Sequence, residues 1–143
     1  MNIENLKKED ASEIHKIGLR VNEFQTSEKP LFWSKDVLEA WIESKNDITI
    51  CLKEKEEIVA FALVAVHLPT SKATFENMWV APEHRAKGVS QEFIKKIIEE
   101  LKNKNIGYVA GMVGLQNTAS QAMLTAAGFQ KGKEFYWFDK TLK

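Results

Sequence analysis

The chain has 143 residues, of which 44% are apolar and 28% are charged, the composition of a globular protein with one core. Lysine plus arginine equals aspartate plus glutamate at 20 each, which excludes a bulk charge that would attract nucleic acid or a membrane surface. The single cysteine, Cys51, excludes an internal disulfide and favours a reducing compartment. We therefore expect one domain over residues 1–143, located in the cytoplasm, with no nucleic-acid or membrane partner.

The first third of the chain predicts one strand followed by two helices. Residues 2–7 fit a short strand. Asp10, with Glu13 three residues later, has the pattern of a capping box, and apolar residues continue at helical spacing to about Phe24. Ser34 is a residue type that caps a helix N-terminus, so a second helix is expected to begin after it.

The middle of the chain changes to strand periodicity. Residues 48–52 and 58–66 are apolar and β-branched, and the charged residues 53–57 between them predict the turn of a hairpin. Residues 73–80 fit a further strand that ends before Pro82. The longest apolar run, residues 58–66, is less than half as long as a membrane-spanning helix.

The last third predicts two helices and two strands. An amphipathic helix begins near Gly88, and residues 106–113 form the next strand. Asn117 caps a short helix that ends at Gly128, which suits a left-handed backbone position. Residues 135–142 are predicted as a final strand. The order β-α-α-β-β-β-α-β-α-β indicates a mixed α/β fold.

The segment between strand 73–80 and the following helix is the most informative for function. A helix N-terminus offers free backbone N–H groups and the positive end of the helix dipole, which together favour an anion. Gly88 allows a ligand to approach the backbone closely or supplies a positive φ. The spacing matches neither a P-loop nor a dinucleotide fingerprint. A pyrophosphate is the kind of ligand that suits this loop, which consists of Arg85, Ala86, Lys87, Gly88, Val89 and Ser90.

This loop resembles the coenzyme-A-binding motif of the GNAT superfamily of N-acetyltransferases. That motif is [QR]xxGx[GA], placed between a strand ending in V-x-P and a long helix. The matching residues here are Arg85-Ala-Lys-Gly-Val-Ser90, preceded by Val80-Ala-Pro82. The order of the predicted elements follows the family over nearly the whole chain, from Asp10-Ala11 to Gly128-Phe129.

The resemblance implies that acetyl-CoA is the cofactor and that its acetyl group passes directly to a primary amine in a ternary complex. It implies that the backbone amides of the loop hold the pyrophosphate, and that strand 4 splays from strand 5 and pairs with the pantetheine arm. The acceptor would be a small-molecule amine or a protein amine, and the family also allows a homodimer. The residues that inherit a cofactor-binding role are Met78, Trp79, Val80, Arg85, Ala86, Lys87, Gly88, Val89, Ser90 and Asn117.

Three positions in the family pattern differ in this chain. Ser90 replaces the usual glycine or alanine at the end of the loop, and a small side chain there is expected to do little harm. Leu124 replaces the tyrosine that often protonates the departing thiolate, and Ser120 replaces a usual alanine. A thiol of pKa about 8.5 leaves tolerably as a thiolate, so the reaction does not depend on that acid. Tyr108 and Tyr136 are the only tyrosines that could replace it.

A base is still needed, because an amine of pKa about 10.4 is protonated at neutral pH. Glu76 is the catalytic candidate by position, and the alternative is a carboxylate that faces solvent on the strand. Cys51 is expected to be inert core. His84 borders the loop and either contacts the cofactor or lies in solvent. Phe32, Trp33 and Trp41 are expected to be core or pocket wall.

Two other functions remain open at this stage. Leu124 favours a catalytically weak acyl-CoA-binding sensor or interaction module. A domain that binds another phosphorylated ligand at Gly88 is the third reading. The histidines show no metal-ligand spacing, so we predict no metal site. No acidic pocket pattern is visible in the sequence, which argues weakly against strongly cationic polyamines as acceptors.

Overall fold

The computed structural model describes residues 1–29 and 31–142. Short 3₁₀ turns separate several of the regular elements. In chain order these elements are β1 (Ile3–Asn5), α1 (Ala11–Arg20), α2 (Lys35–Glu43), β2 (Ile48–Glu54), β3 (Glu57–His67), β4 (Lys72–Val80), α3 (Val89–Asn103), β5 (Tyr108–Gly111) and α4 (Thr118–Ala126). Within the described ranges no helix is long and apolar enough to cross a membrane.

The strands form one five-stranded sheet in the order β1-β2-β3-β4-β5. Neighbours from β1 to β4 are antiparallel, and β5 runs parallel to β4. The predicted hairpin is confirmed, with a tight turn at Lys55 and Glu56, whose φ angles are 52° and 67°. Positive φ at both central residues is what a two-residue type I′ hairpin requires.

The sheet is covered on both faces, so its central strand β3 is buried over most of its length. On one face the apolar stripe of α3, including Phe93 and Ile97, packs against alternate residues of β2, β3 and β4. On the other face α1 and α2 pack against Phe61 and Leu63 of β3. Because successive strand residues point to opposite faces, one strand supplies both cores.

The capping box predicted at the start of α1 is wrong. The Asp10 side chain does not cap α1. It accepts a hydrogen bond from the Lys7 N–H at 2.7 Å and forms an ion pair with Lys53 Nζ at 3.0 Å. Glu13 Oε1 instead accepts from the Ile58 N–H at 3.0 Å. A buried carboxylate needs hydrogen bonds and a cation, and here β2 supplies the cation.

The prediction that the first helix runs to about Phe24 is wrong, because α1 ends at Arg20 and residues 22–24 form a separate 3₁₀ turn. The predicted caps of α2 and α4 are confirmed. Ser34 Oγ accepts from the Val37 N–H at 3.3 Å at the start of α2. At the end of α4, Gly128 has a φ of 91°, and the Phe129 N–H bonds to the Leu124 carbonyl at 3.0 Å. This is the Schellman arrangement, which needs a left-handed residue after the helix.

The predicted last strand is wrong. Residues 135–142 have no regular structure, and Phe135, Tyr136 and Phe138 are 85%, 92% and 91% exposed. A strand needs a backbone partner, and within the described residues β5 pairs only with β4. β propensity alone, which these aromatic residues supply, does not make a strand.

Candidate active site

The turn between β4 and α3 leaves a run of backbone N–H groups without partners. Within the described part of the chain, no acceptor takes a hydrogen bond from the N–H groups of residues 86–91. The first hydrogen bond into α3 runs from the Glu92 N–H to the Gly88 carbonyl at 3.1 Å. Such free N–H groups, at the positive end of a helix dipole, bind anions.

The backbone of this loop turns through two left-handed residues. Gly88, which precedes the first residue of α3, has a φ of 81°, so the predicted positive φ is confirmed. Ala86 has a φ of 61°, which is uncommon for a residue with a side chain. A Cβ placed on Gly88 would meet no atom within 4 Å, so the space in front of the loop is open.

The charged residues around the loop have different roles. Lys87 is exposed, and its ammonium is free to move. Arg85 Nε donates to the Val80 carbonyl at 2.9 Å and so ties the loop to the end of β4. His84 Nε2 lies 3.3 Å from Glu54 Oε2, so this histidine has a protein partner.

The second half of β4 has an open edge. Residues 72–75 of β4 pair with residues 108–111 of β5, whereas residues 77–80 pair only with β3. The predicted splay between the two strands is therefore confirmed. Met78, Trp79 and Val80 lie on this open half, beside the free N–H groups of the loop.

Glu76 lies at a β-bulge at the start of the open half. Asn77 pairs with Leu63 and Phe75 pairs with Val64, so Glu76 is the extra residue on β4. A bulge redirects a side chain and is frequent beside active sites. Glu76 is exposed as a residue, yet partial burial of its carboxyl raises its pKa. No described residue forms an ion pair or hydrogen bond with it.

Asn117 is confirmed as a helix cap. Its Oδ1 accepts from the Ser120 N–H at 3.2 Å, at the start of α4. The Gln91 side chain donates to the Met123 carbonyl at 3.2 Å, which holds α4 beside the first turn of α3. Asn117 and Leu124 are thereby placed on the helix next to the loop.

A cavity of about 390 Å³ opens beside Glu76. Its two indole rings, Trp33 and Trp41, meet edge to face with centroids 5.4 Å apart. Trp33 Nε1 donates to Asn77 Oδ1 at 2.8 Å, which fixes that ring against β4. Sequence reasoning found the tryptophans but missed Asp47, since nothing in the spacing connects it to Glu76. The lining residues are Trp33, Val37, Ala40, Trp41, Ser44, Asp47, Ala65 and Glu76.

The remaining candidates lie outside this site. Cys51 is fully buried, and burial, with the nearby Asp10 carboxylate, raises its pKa to about 12. Its predicted position in the core is confirmed, and we expect it to be unreactive. Tyr108 is 63% exposed on β5 and Tyr136 lies in the irregular C-terminal segment. The described residues contain no cluster of histidine, cysteine or carboxylate side chains that could hold a metal.

The fold is similar to those of several acetyltransferases. The ribosomal-protein-S18-alanine N-acetyltransferase of Escherichia coli has a TM-score of 0.73 at 21% identity, with 92% of this chain and 79% of that chain covered. An aminoglycoside 6′-N-acetyltransferase from Acinetobacter haemolyticus has a TM-score of 0.74 at 18% identity, with 100% of both chains covered. An aminoglycoside N-acetyltransferase in complex with CoA has a TM-score of 0.73 at 19% identity, with 98% and 99% covered.

The sequence itself carries a stronger signal. No curated protein sequence shows significant similarity to the chain. The sequence profile of the acetyltransferase (GNAT) family, however, matches residues 18–129. That range contains α2, the sheet from β2 to β5, the loop with its free N–H groups, and α4. The chain therefore belongs to the acetyltransferase (GNAT) family, which makes it an N-acetyltransferase.

Proposed function

We propose that this chain transfers an acetyl group from acetyl-CoA to a primary amine, directly and in a ternary complex. The observation that carries the proposal is the run of free N–H groups at residues 86–91, next to the open edge of β4. The free N–H groups suit an anion, and the open edge of β4 suits an extended chain with amide groups. A pyrophosphate joined to a pantetheine arm has both features.

The chain's own residues fit that cofactor. The backbone of Ala86 to Ser90 faces the pyrophosphate, with Lys87 as a mobile cation and Gly88 leaving the approach open. Arg85 has a second use, because its bond to the Val80 carbonyl fixes the shape of the loop. Met78 and Trp79 offer the backbone of the open edge to the pantetheine amides. Asn117 uses its Oδ1 as a cap, and its side-chain NH₂ remains as a donor.

Glu76 acts as the base. When bound, the thioester supplies the acetyl group: its C–S bond breaks, a C–N bond forms to the amine, and coenzyme A leaves as the thiolate. The nitrogen of the acceptor loses two protons in the reaction. Glu76 accepts the first from the ammonium form, directly or through water, and passes it to solvent. The second leaves the nitrogen as the amide forms, and the regenerated Glu76 carboxylate passes it to solvent in the same way. Partial burial raises the pKa of this carboxyl, and a weaker acid is a stronger base toward the amine.

No tyrosine is placed to protonate the thiolate in the way the family often does. Leu124 occupies that helical position, and Tyr108 lies on β5, where it is mostly exposed. Proton transfer from an acid is typically worth ~10²–10⁴-fold, whereas alignment of the reactants supplies ~7–11 kcal/mol. Alignment and Glu76 therefore carry the reaction, and the thiolate leaves without protonation by the enzyme.

The test is thiol release from acetyl-CoA over a panel of primary amines, with the acetylated product identified by mass spectrometry. Release that depends on both amine and enzyme supports the proposal. Stoichiometric binding of acetyl-CoA with no release over the whole panel would instead support a sensor or interaction module, the alternative that Leu124 favours.

A homodimer is part of the proposal. Phe135, Tyr136 and Phe138 expose aromatic surface in one continuous segment, and such surface commonly marks a protein contact. We expect light scattering to give twice the monomer mass of 16.3 kDa. We expect Phe138→Glu to shift the protein toward the monomer, and Lys140→Glu to serve as a matched control in the same segment.

A further inference from the structure

We propose that the cavity beside Glu76 binds an acceptor with two cationic groups, of which a short alkyl diamine is the simplest. One amino group lies at Glu76, and the other lies in a cage formed by two indole rings and Asp47. This cage, defined by Trp33, Trp41 and Asp47, is called the indole cage below. The inference rests on the proposed function, because it takes Glu76 as the base that serves the reacting amine.

The cavity carries charge of one sign. Its lining residues include two carboxylates, Asp47 and Glu76, and no lysine, arginine or histidine. Asp47 Oδ1 accepts from the Val66 N–H at 2.7 Å, which fixes the carboxylate and leaves Oδ2 for a ligand. Glu76 has no partner within the described part of the chain. Two carboxylates without a cation favour a ligand that brings positive charge.

The indole rings add a second attraction for a cation. Trp33 and Trp41 both line the cavity, and their ring planes lie at 87° to each other. A cation over the face of a tryptophan is attracted by the ring quadrupole, and tryptophan is the strongest of the aromatic residues in this respect. The cage thus combines two indole rings with one fixed carboxylate.

Trp41 contributes its ring rather than a hydrogen bond. Its Nε1–H is buried and has no partner in the described residues. A buried donor without an acceptor costs free energy of folding, so hydrogen bonding does not explain a tryptophan here. A phenylalanine at this position would keep an aromatic face and remove the unpaired donor.

The spacing along the sheet sets the length of the acceptor. Asp47 contacts the backbone of Val66, whereas Glu76 lies opposite Leu63 and Val64 of the same strand. Two to three residues along a strand correspond to ~7–10 Å. The carbon chain of a short diamine spans such a distance. A cavity of about 390 Å³ is also the size that holds a small molecule.

The sequence alone argued weakly against strongly cationic polyamines, since no acidic pocket pattern was visible in it. Asp47 precedes β2 and Glu76 lies on β4, and only the antiparallel pairing of β2, β3 and β4 brings both to one cavity. The cavity therefore has the negative charge that a cationic acceptor needs, which the sequence did not indicate.

The test compares diaminobutane with n-butylamine, which has the same carbon chain and one amino group fewer. Thiol release is measured for both, and the ratio of their kcat/KM values reports the second cation. We expect diaminobutane to be preferred by about tenfold or more, as a cation–π contact with an added carboxylate provides. A ratio near one would overturn the inference and leave the proposed function standing.

Matched variants locate the preference. Asp47→Asn keeps an oxygen for the Val66 N–H and removes the charge, so we expect the ratio to fall about two- to fivefold. Trp33→Leu removes a ring face and should lower the ratio, whereas Trp33→Phe should retain most of it. Glu99→Gln removes the same charge from an exposed position on α3, across the sheet, and should leave the ratio unchanged. An equal effect of Glu99→Gln and Asp47→Asn would overturn the inference.

Calorimetry of diaminobutane binding, without acetyl-CoA, separates this inference from the proposed function. Saturable binding that Asp47→Asn weakens supports the indole cage even if no thiol is released, and the proposed function would then fail alone. If diaminobutane shows no saturable binding while n-butylamine is still acetylated, the inference of a diamine site is overturned and the proposed function stands.

Discussion

The two halves of β4 belong to one strand but differ in how many neighbouring strands they pair with. Residues 72–75 lie between β3 and β5, with partners on both sides. Residues 77–80 have a partner on one side only, and Glu76 is the unpaired residue of the bulge. The first half holds the sheet together, whereas the second half leaves backbone groups and Glu76 free for other molecules. In this fold, the site lies where the sheet stops making its own hydrogen bonds.

The two halves of β4 also differ in what lies next to them. The first half packs under α3, whose Phe93 and Ile97 are fully buried. The second half leads into the loop at residues 86–91, where the N–H groups have no protein partner. Substitutions in the core should therefore change folding, and substitutions around the open edge should change ligand binding or catalysis.

The largest effect is expected in the core. Phe93→Ala removes a fully buried ring from α3 and should lower the free energy of unfolding by about 3–5 kcal/mol. Glu99→Ala, at an exposed position on the same helix, is the matched control and should leave it nearly unchanged. Chemical denaturation of both variants measures this. Similar losses in the two variants would contradict the assignment of the core.

Glu76→Gln should affect catalysis rather than folding. We expect kcat to fall on the order of 10²-fold or more, since the base is removed while the shape is kept. The raised pKa of Glu76 means that the folded protein disfavours its charged form. At neutral pH the substitution should therefore raise stability slightly, whereas a fall in both activity and stability would indicate a structural role. Stopped assays measure kcat, and thermal unfolding measures the stability.

The pH dependence of the same residue sharpens the comparison. Glu76 accepts a proton only as a carboxylate, so activity should fall as the pH decreases through its raised pKa. The acid limb of the kcat/KM profile should therefore lie above the ordinary glutamate value of about 4.3. Ionisation of Glu76 should also lower the stability of the folded protein. This loss should be absent at low pH and should increase as the pH rises through that pKa. Glu76→Gln should remove the acid limb, and a limb that persists in this variant would exclude Glu76 as the base.

The smallest effect is expected at Cys51. Burial raises its pKa to about 12, so the folded protein should contain almost no thiolate at pH about 8. Iodoacetamide should leave the native protein unmodified and alkylate it fully in denaturant, as mass spectrometry would show. Rapid alkylation of the native protein would contradict the buried position in β2.

Local features of this fold could be predicted from sequence because a few neighbouring residues decide them. Ser34 and Asn117 cap their helices, and Gly88 and Gly128 take positive φ, each through contacts with residues close in the chain. The GNAT family could be recognised because its loop motif is also local.

The failures all involve partners distant in sequence. Asp10 has the pattern of a helix cap, but Lys53 on β2 takes its carboxylate. Asp47 and Glu76 share a cavity only through the pairing of three strands. The aromatic residues at 135–138 favour a strand, but no partner in the described chain completes it. Spacing and propensity contain no information about such contacts.

The central claim is that the loop at residues 86–91 binds the pyrophosphate of acetyl-CoA, and calorimetry tests it most directly. Asparagine and aspartate both tolerate the left-handed conformation of Gly88, so Gly88→Asn and Gly88→Asp differ mainly in charge. We expect the wild type to bind acetyl-CoA in the micromolar range, Gly88→Asn to retain most of that affinity, and Gly88→Asp to lose it by about tenfold or more. Equal affinity of the two variants, or equal binding of bare adenosine diphosphate by the wild type, would contradict the account.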